Sequence, residues 1–262
     1  MRAAIFILLS LPLRAADCSP TVAERQEILN AITNRARQYA NSLPDFLATR
    51  VITRWVEPAE TAQQWRKLDT IEQQLAYYQH VETYRGTRVN GRPVKSAALP
   101  GLSSGGEFGA VFEDIFNEKS LADFKWRSCS IIRGVPVYIF DYRETKMLEK
   151  LSIGGADGSS SSAGAGSANV RAEVPYHGRI YADRHDERVM RITVIAEVPH
   201  GFPMRSVQRE VDYAWTLVGG GQYVLPRKVE IRSRVGDAIM RNEMQFVLYR
   251  KFDADSVLKF GK

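Results

Sequence analysis

The chain has 262 residues, of which 44% are hydrophobic, 25% charged and 10% aromatic. These are the values of an ordinary globular protein, and they exclude collagen-like, disordered and coiled-coil classes. The formal net charge is +6, but the basic residues are scattered and no run of five or more Lys/Arg occurs. Without a basic stripe or a recognisable nucleic-acid-binding module, no nucleic-acid partner is expected.

The first 16 residues have the pattern of a secretory signal peptide. A basic residue, Arg2, is followed by an apolar run from Ala3 to Leu13, and two small residues, Ala15 and Ala16, precede a polar one. The run is shorter than the roughly 20 apolar residues that span a bilayer. Cleavage after Ala16 lowers the net charge to +4 and leaves residues 17–262 as one domain. We therefore expect a periplasmic or secreted monomer with no transmembrane segment and no cofactor.

The two cysteines, Cys18 and Cys129, leave three alternatives open. Export places them where a disulfide persists, and a bridge between them would close a long loop. A lipid anchor on Cys18 is disfavoured, because a lipidation signal needs a small residue where Asp17 stands. Two free thiols are the third alternative. Their separation gives no support for a metal site.

A long first helix is predicted after Pro20. Thr21 and Glu24 have the spacing of a capping box, in which each side chain bonds the backbone N–H of the other residue. Apolar residues then recur every three or four positions, which predicts a helix of about five turns with one apolar stripe. Pro44 ends it, because proline cannot continue the hydrogen-bond ladder.

Beyond Pro44 the apolar period is mostly two, which indicates strands joined by short turns such as Asn90-Gly91. A short second helix opens at Gly105–Gly109, and Ser120–Phe124 is interpreted as a further helical turn. The low-complexity segment 154–168 predicts a flexible Ser/Gly loop. The predicted strands are Leu47–Trp55, Thr70–Tyr78, Glu82–Val89, Phe124–Ile132, Val135–Arg143, Val170–Ala182, Arg188–Val198, Ser206–Val218, Tyr223–Val235, Ile239–Tyr249 and Val257–Phe260.

These elements predict the α+β class. Strands linked by hairpins are antiparallel, and a sheet of about ten or eleven strands must curl into a half-barrel. The long N-terminal helix and the short helical lid would cover its concave apolar face. Both faces of Val135–Arg143 are apolar, which favours a place in the middle of the structure for that strand.

No enzymatic motif is recognisable. The P-loop, the Gly-x-Ser-x-Gly elbow and the Rossmann pattern are absent from the sequence. His185 lies among Asp183, Asp186 and Glu187, but such residues are typical of a solvated turn rather than a metal site. An exported hydrolase is a minor alternative, because it would need a buried carboxylate or histidine pair in a cleft.

A ligand-binding face is the more plausible kind of site. Side chains on the inner face of the curled sheet could surround an acyl chain or another apolar ligand, or could simply pack against the helices. The candidate ligand-binding residues are Tyr138, Phe140, Tyr142, Val211, Tyr213, Trp215, Met244 and Phe246. The lid residues would be Phe108, Phe112 and Phe116.

One hairpin carries a resemblance to a known superfamily. The segment Gly178-Arg179-Ile180-Tyr181-Ala182-Asp183, a four-residue turn, and then Arg188–Ile192 resemble a hairpin of the periplasmic lipoprotein carriers, the LolA/LolB and RseB-like half-barrels. The order of predicted elements is similar over most of the chain. The Ser/Gly loop and residues 93–106 depart from the compact carriers.

The resemblance implies a function that the elements alone do not. It implies an exported binding or carrier protein that holds a lipid or an acylated partner against the concave face of the sheet. The alternative is a non-enzymatic interaction or envelope-sensor module, RseB-like, which contacts a partner protein and has no ligand cavity. Fold alone does not decide between them.

Overall fold

The computed structural model describes residues 18–58, 64–94, 106–153 and 170–252. The predicted signal peptide, the Ser/Gly loop 154–168 and the predicted strand Val257–Phe260 lie outside these residues. None of the helices in the described part of the chain has both the length and the hydropathy needed to cross a bilayer.

Two helices are present in the described residues. Helix α1 (Val22–Tyr39) begins with the predicted capping box, in which Thr21 accepts from the Glu24 N–H and the Glu24 carboxylate accepts from the Thr21 N–H. A 3₁₀ turn (Ala40–Ser42) continues α1 up to Leu43 and Pro44. Helix α2 (Ala110–Phe116) is short and buries four of its seven residues.

Within the described residues, eleven strands form one antiparallel sheet. Its order is β4-β3-β2-β1-β11-β10-β9-β8-β7-β6-β5, so that only the β1–β11 pair joins strands distant in sequence. The strands are β1 (Phe46–Glu57), β2 (Arg66–Tyr78), β3 (Val81–Val89), β4 (Arg92–Pro93), β5 (Asp123–Ile132), β6 (Val135–Ile153), β7 (Val170–Asp183), β8 (Val189–Ala196), β9 (Met204–Val218), β10 (Gly221–Val235) and β11 (Ala238–Lys251).

The sheet is curled and open, and the helices lie on its concave side, which confirms the predicted α+β half-barrel. The Asn90-Gly91 turn has positive φ at both residues, 48° and 79°, as a two-residue hairpin requires. One main core lies between the helices and the sheet. Apolar burial on this one face, about 25 cal/mol per Å², provides the main driving force for the fold.

The concave face is not entirely apolar, which differs from the prediction. Arg50 is buried on the same face of β1 as Phe46, Ala48 and Ile52. It donates to Gln73 and stacks on the Tyr84 ring at 3.6 Å. Arg209 of β9 is paired with Glu149 at 3.4 Å. Each buried guanidinium has an acceptor beside it, as burial of a charge requires.

Two local predictions are wrong. Ser120–Phe124 forms no helical turn, because the Ser120 hydroxyl donates to the Ile115 carbonyl and accepts from the Ala122 N–H, and β5 begins at Asp123. Strand β6 lies second from the sheet edge rather than in the middle. Its outer face is apolar because Val137 and Ile139 form a second small cluster with Met190.

Cys18 and Cys129 form a disulfide between the residues before α1 and the edge strand β5. Their Cα atoms are 6.0 Å apart, within the range that a disulfide allows, and 111 residues separate them in sequence. Of the three alternatives left open by the sequence, the structure contains the bridge. It attaches the start of α1 to the edge of the sheet.

Candidate functional site

A cleft of about 420 Å³ lies between α1 and the sheet. It is within the range of about 300–1,000 Å³ that is usual for small-molecule sites. Its walls come from the second half of α1, the 3₁₀ turn, α2 and the adjacent ends of β8, β9 and β10. The lining residues are Arg35, Ala36, Gln38, Tyr39, Ser42, Phe112, Arg188, Val189, Trp215, Gln222, Tyr223 and Val224.

Trp215 is the largest side chain in the cleft, and 54% of its surface is exposed. In the β9–β10 pair it lies opposite Val224, which lines the cleft beside it. The Arg188 guanidinium lies over the indole ring, 4.8 Å from its centroid. A half-exposed tryptophan in a concave site is a ready contact surface for an apolar group.

The turn between β7 and β8 holds Arg188 in place. The two terminal nitrogens of the Arg188 guanidinium lie 2.8 Å from the Asp186 carboxylate and 2.9 Å from the Asp183 carboxylate. Asp183 also accepts from the His185 N–H. Arg35 of α1 reaches Asp186 from the other side at 3.8 Å. The turn and α1 are thus linked by charge across the mouth of the cleft.

The inner wall of the cleft is aromatic. The Tyr39 ring stacks on Phe112 with a centroid distance of 4.1 Å, and the Tyr213 ring packs edge-on against both. Burial raises the pKa of Tyr39 well above its usual value. Its hydroxyl has no hydrogen-bond partner in the part of the chain that the structure describes. Ring packing therefore dominates this wall.

Most of the predicted ligand-binding residues lie in the packed core rather than in the cleft. Trp215 lines the cleft, whereas Tyr138 is half-buried and packs against the core. Tyr142 and Tyr213 donate to the carbonyls of Thr193 and Glu107, so their hydroxyls are already used. The six predicted residues that belong to the core, at most 6% exposed, are Phe140, Tyr142, Val211, Tyr213, Met244 and Phe246.

The three predicted lid phenylalanines occupy different places. Phe112 lines the cleft. Phe108 is fully buried against Phe46 and Phe246, and Phe116 stacks on Phe124 of β5 with a centroid distance of 5.8 Å. Helix α2 therefore fills the concave space over much of the sheet, and the cleft remains at one side of it.

A buried carboxylate fixes the entry to α2. Glu82 of β3 accepts from the backbone N–H groups of Gly106 and Phe108, at 3.0 and 3.1 Å, and from the Tyr84 hydroxyl at 2.6 Å. Burial and the nearby Glu107 carboxylate raise the pKa of Glu82. This pair does not line the cleft, and the contacts of Glu82 assign it to positioning the lid.

Sequence reasoning missed the residues that α1 and β10 contribute to the cleft. The helical pattern places Gln38 on the solvated side of α1 and indicates nothing about Arg35 or Ser42. Gln222 and Tyr223 follow the glycine turn after β9. No local signal brings these two segments together. Within the described residues no group of His, Cys, Asp or Glu side chains could hold a metal ion.

The fold and the site define a half-barrel with a partly open aromatic cleft between its first helix and the sheet. No family model matches the chain, and no curated protein does. Several solved structures are similar to it, among them the following three.

The first is an outer membrane lipoprotein-sorting protein domain from Vibrio parahaemolyticus, 12% identical with a TM-score of 0.38 over 88% of this chain and 94% of that one. The second is a LolA superfamily protein from Nitrosomonas europaea, 9% identical with a TM-score of 0.35 over 86% and 93%. The third is a DUF1329 family protein from Desulfovibrio piger, 10% identical with a TM-score of 0.40 over 87% and 94%. At these identities and TM-scores, the similarity supports no inference about a ligand.

Proposed function

We propose that this chain is an exported binding protein that carries a lipid, or the acyl chain of a lipidated partner, in the cleft beside α1. The observation that carries the proposal is Trp215, a tryptophan 54% exposed on the wall of a 420 Å³ concave site. Proteins rarely leave large apolar surfaces exposed in a concave site without a binding role.

The size and lining of the cleft favour a ligand with a single acyl chain. Burying ten methylene groups contributes about 8 kcal/mol at about 0.8 kcal/mol each, an upper bound that corresponds to a micromolar dissociation constant. The aromatic wall of Tyr39 and Phe112 is already packed, so little ordering cost remains for the protein. These are the properties of a reversible carrier rather than a permanent lipid store.

Two independent features support export. The basic and apolar start of the chain predicts a signal peptide. The disulfide between Cys18 and Cys129 is of a kind that persists in oxidising compartments and is rare in the cytosol. The alternative of an interaction module without a ligand cavity is less favoured, because the cleft is present.

The test is to purify the protein without detergent from the envelope fraction of its host and to record native mass spectra. A bound lipid, released on denaturation, is the expected result. Trp215→Ala should lose it, whereas Val247→Ala, a matched removal of a 37%-exposed apolar side chain outside the cleft, should keep it. A ligand-free wild type that also binds no added fatty acid would overturn the proposal.

A further inference from the structure

We infer that the cleft selects a single-chain amphiphile with an anionic head, and that Arg35 is the residue that contacts the head. The inference rests on the proposed function and names the ligand class of the same site. It depends on how charge and hydrogen-bond donors are distributed over the lining.

The lining has an apolar part and a polar part. Among the described lining residues the charged side chains are two arginines, Arg35 and Arg188, and none of the twelve is acidic. The apolar part consists of Ala36, Tyr39, Phe112, Val189, Trp215 and Val224. An apolar floor with positive charge at one margin is complementary to an amphiphile with an anionic head.

The two arginines have different roles. The charge of Arg188 is compensated by Asp183 and Asp186, and its side chain is only 17% exposed. It therefore forms part of the cleft wall, packed over the Trp215 ring. Arg35 is 53% exposed, and its ion pair with Asp186 is long, 3.8 Å. Because Asp186 already binds Arg188, most of the donors of Arg35 remain open to a ligand.

Two neutral donors line the cleft together with Arg35. Gln38 is one turn further along α1, and Gln222 lies at the start of β10. Neither amide has a hydrogen-bond partner within the part of the chain described here. A carboxylate or phosphate has the acceptors that a guanidinium and two amides can satisfy together. A cationic head would meet Arg35 with like charge.

The test compares probes that share a twelve-carbon chain: dodecanoate, dodecyl phosphate, 1-dodecanol and dodecyltrimethylammonium, each below its micellar concentration or, for the alcohol, its solubility limit. Binding is followed by the change in tryptophan fluorescence, with calorimetry as the second measurement. For the wild type we expect the anions to bind more tightly than the alcohol by about three- to tenfold, and the cation most weakly. The tighter of the two anions identifies the head as carboxylate or phosphate.

Arg35→Gln should lower the affinity for the anions more than the affinity for 1-dodecanol, and so remove the preference for the anion. Arg35→Lys should restore part of the preference, and 0.5 M salt should weaken it. Arg205→Gln is the matched control, since Arg205 is an exposed residue at the far end of β9 paired with Asp237. Equal affinities for anion and alcohol in the wild type, or an unchanged ratio in Arg35→Gln, would overturn the inference while the proposed function stands. Failure of all four probes to bind would overturn the inference, and together with a ligand-free protein in the native mass spectra it would overturn the proposed function as well.

Discussion

Gly178 of β7 lies against the carbonyl group of Thr193 in β8, so closely that a Cβ atom would overlap the oxygen. The same added carbon would come within 3.1 Å of the Tyr142 ring, whose hydroxyl donates to that carbonyl at 2.8 Å. This contact explains why glycine stands at the first position of the hairpin pattern seen in the sequence. Asp183, the last residue of the first strand in that pattern, also has a structural role, because its carboxylate forms an ion pair with Arg188.

Gly178→Ala should therefore lower the free energy of unfolding by about 3 kcal/mol, since neither backbone nor ring can move away without disturbing neighbouring strands. Gly91→Ala is the control: its φ is 79°, but nothing lies within 4 Å of the added carbon, so a cost of about 1 kcal/mol is expected. Urea denaturation measures both, and equal losses would contradict the close approach at Gly178.

Reduction of the Cys18–Cys129 disulfide should destabilise the protein without changing its fold. In the loop-entropy account, a bridge across 111 residues stabilises by about 4–5 kcal/mol. The midpoint of thermal unfolding should fall in dithiothreitol, and the double variant Cys18→Ala/Cys129→Ala should show the same midpoint with or without the reductant. A wild-type midpoint that dithiothreitol leaves unchanged would argue against the bridge.

Two tyrosines of one aromatic cluster should respond differently to loss of the hydroxyl. Tyr39→Phe removes a buried hydroxyl that has no partner in the described chain, so the free energy of unfolding should rise or stay level. Tyr213→Phe removes a donor to the Glu107 carbonyl at 3.1 Å and should cost about 1 kcal/mol. Chemical denaturation decides the signs, and a marked loss for Tyr39→Phe would show that its hydroxyl has an acceptor.

Asp212 should make stability depend on pH in the acid range. Burial opposes its charge, but the hydrogen bonds and charges of Arg191 and Arg133 outweigh burial and lower the pKa of Asp212 below its usual value of 3.8. A lowered pKa means that its stabilisation is present above pH 3.8 and is lost as pH falls through the folded-state pKa.

Asp212→Asn should therefore cost about 1–3 kcal/mol at pH 7, and the difference from wild type should shrink below pH 3.8. Denaturation curves at several pH values measure it. Asp237→Asn, at an exposed pair with Arg205, is the control and should change little at any pH. A cost for Asp212→Asn that is the same at pH 3 and pH 7 would refute the assignment.

The sequence by itself determined the elements whose signals are local. The capping box of Thr21 and Glu24 needs only one turn of helix, and the Asn90-Gly91 turn needs only two residues with positive φ. Alternation of period two was sufficient to predict most strands, but it missed β4 and ended β6 at Arg143 rather than Ile153. Hairpin connections then implied antiparallel pairing, and a one-sided apolar pattern implied a curled sheet with helices on its concave face.

The tertiary structure alone decided the site. Phe140 and Trp215 both belong to apolar strand patterns, yet one is 2% exposed and the other 54%, because α2 covers part of the sheet and leaves the ends of β9 and β10 uncovered. A cleft is the volume that packed side chains fail to fill, and it depends on contacts between segments far apart in sequence. For the same reason the proximity of Cys18 to Cys129, and of Arg35 to Gln222, followed only from the folded chain.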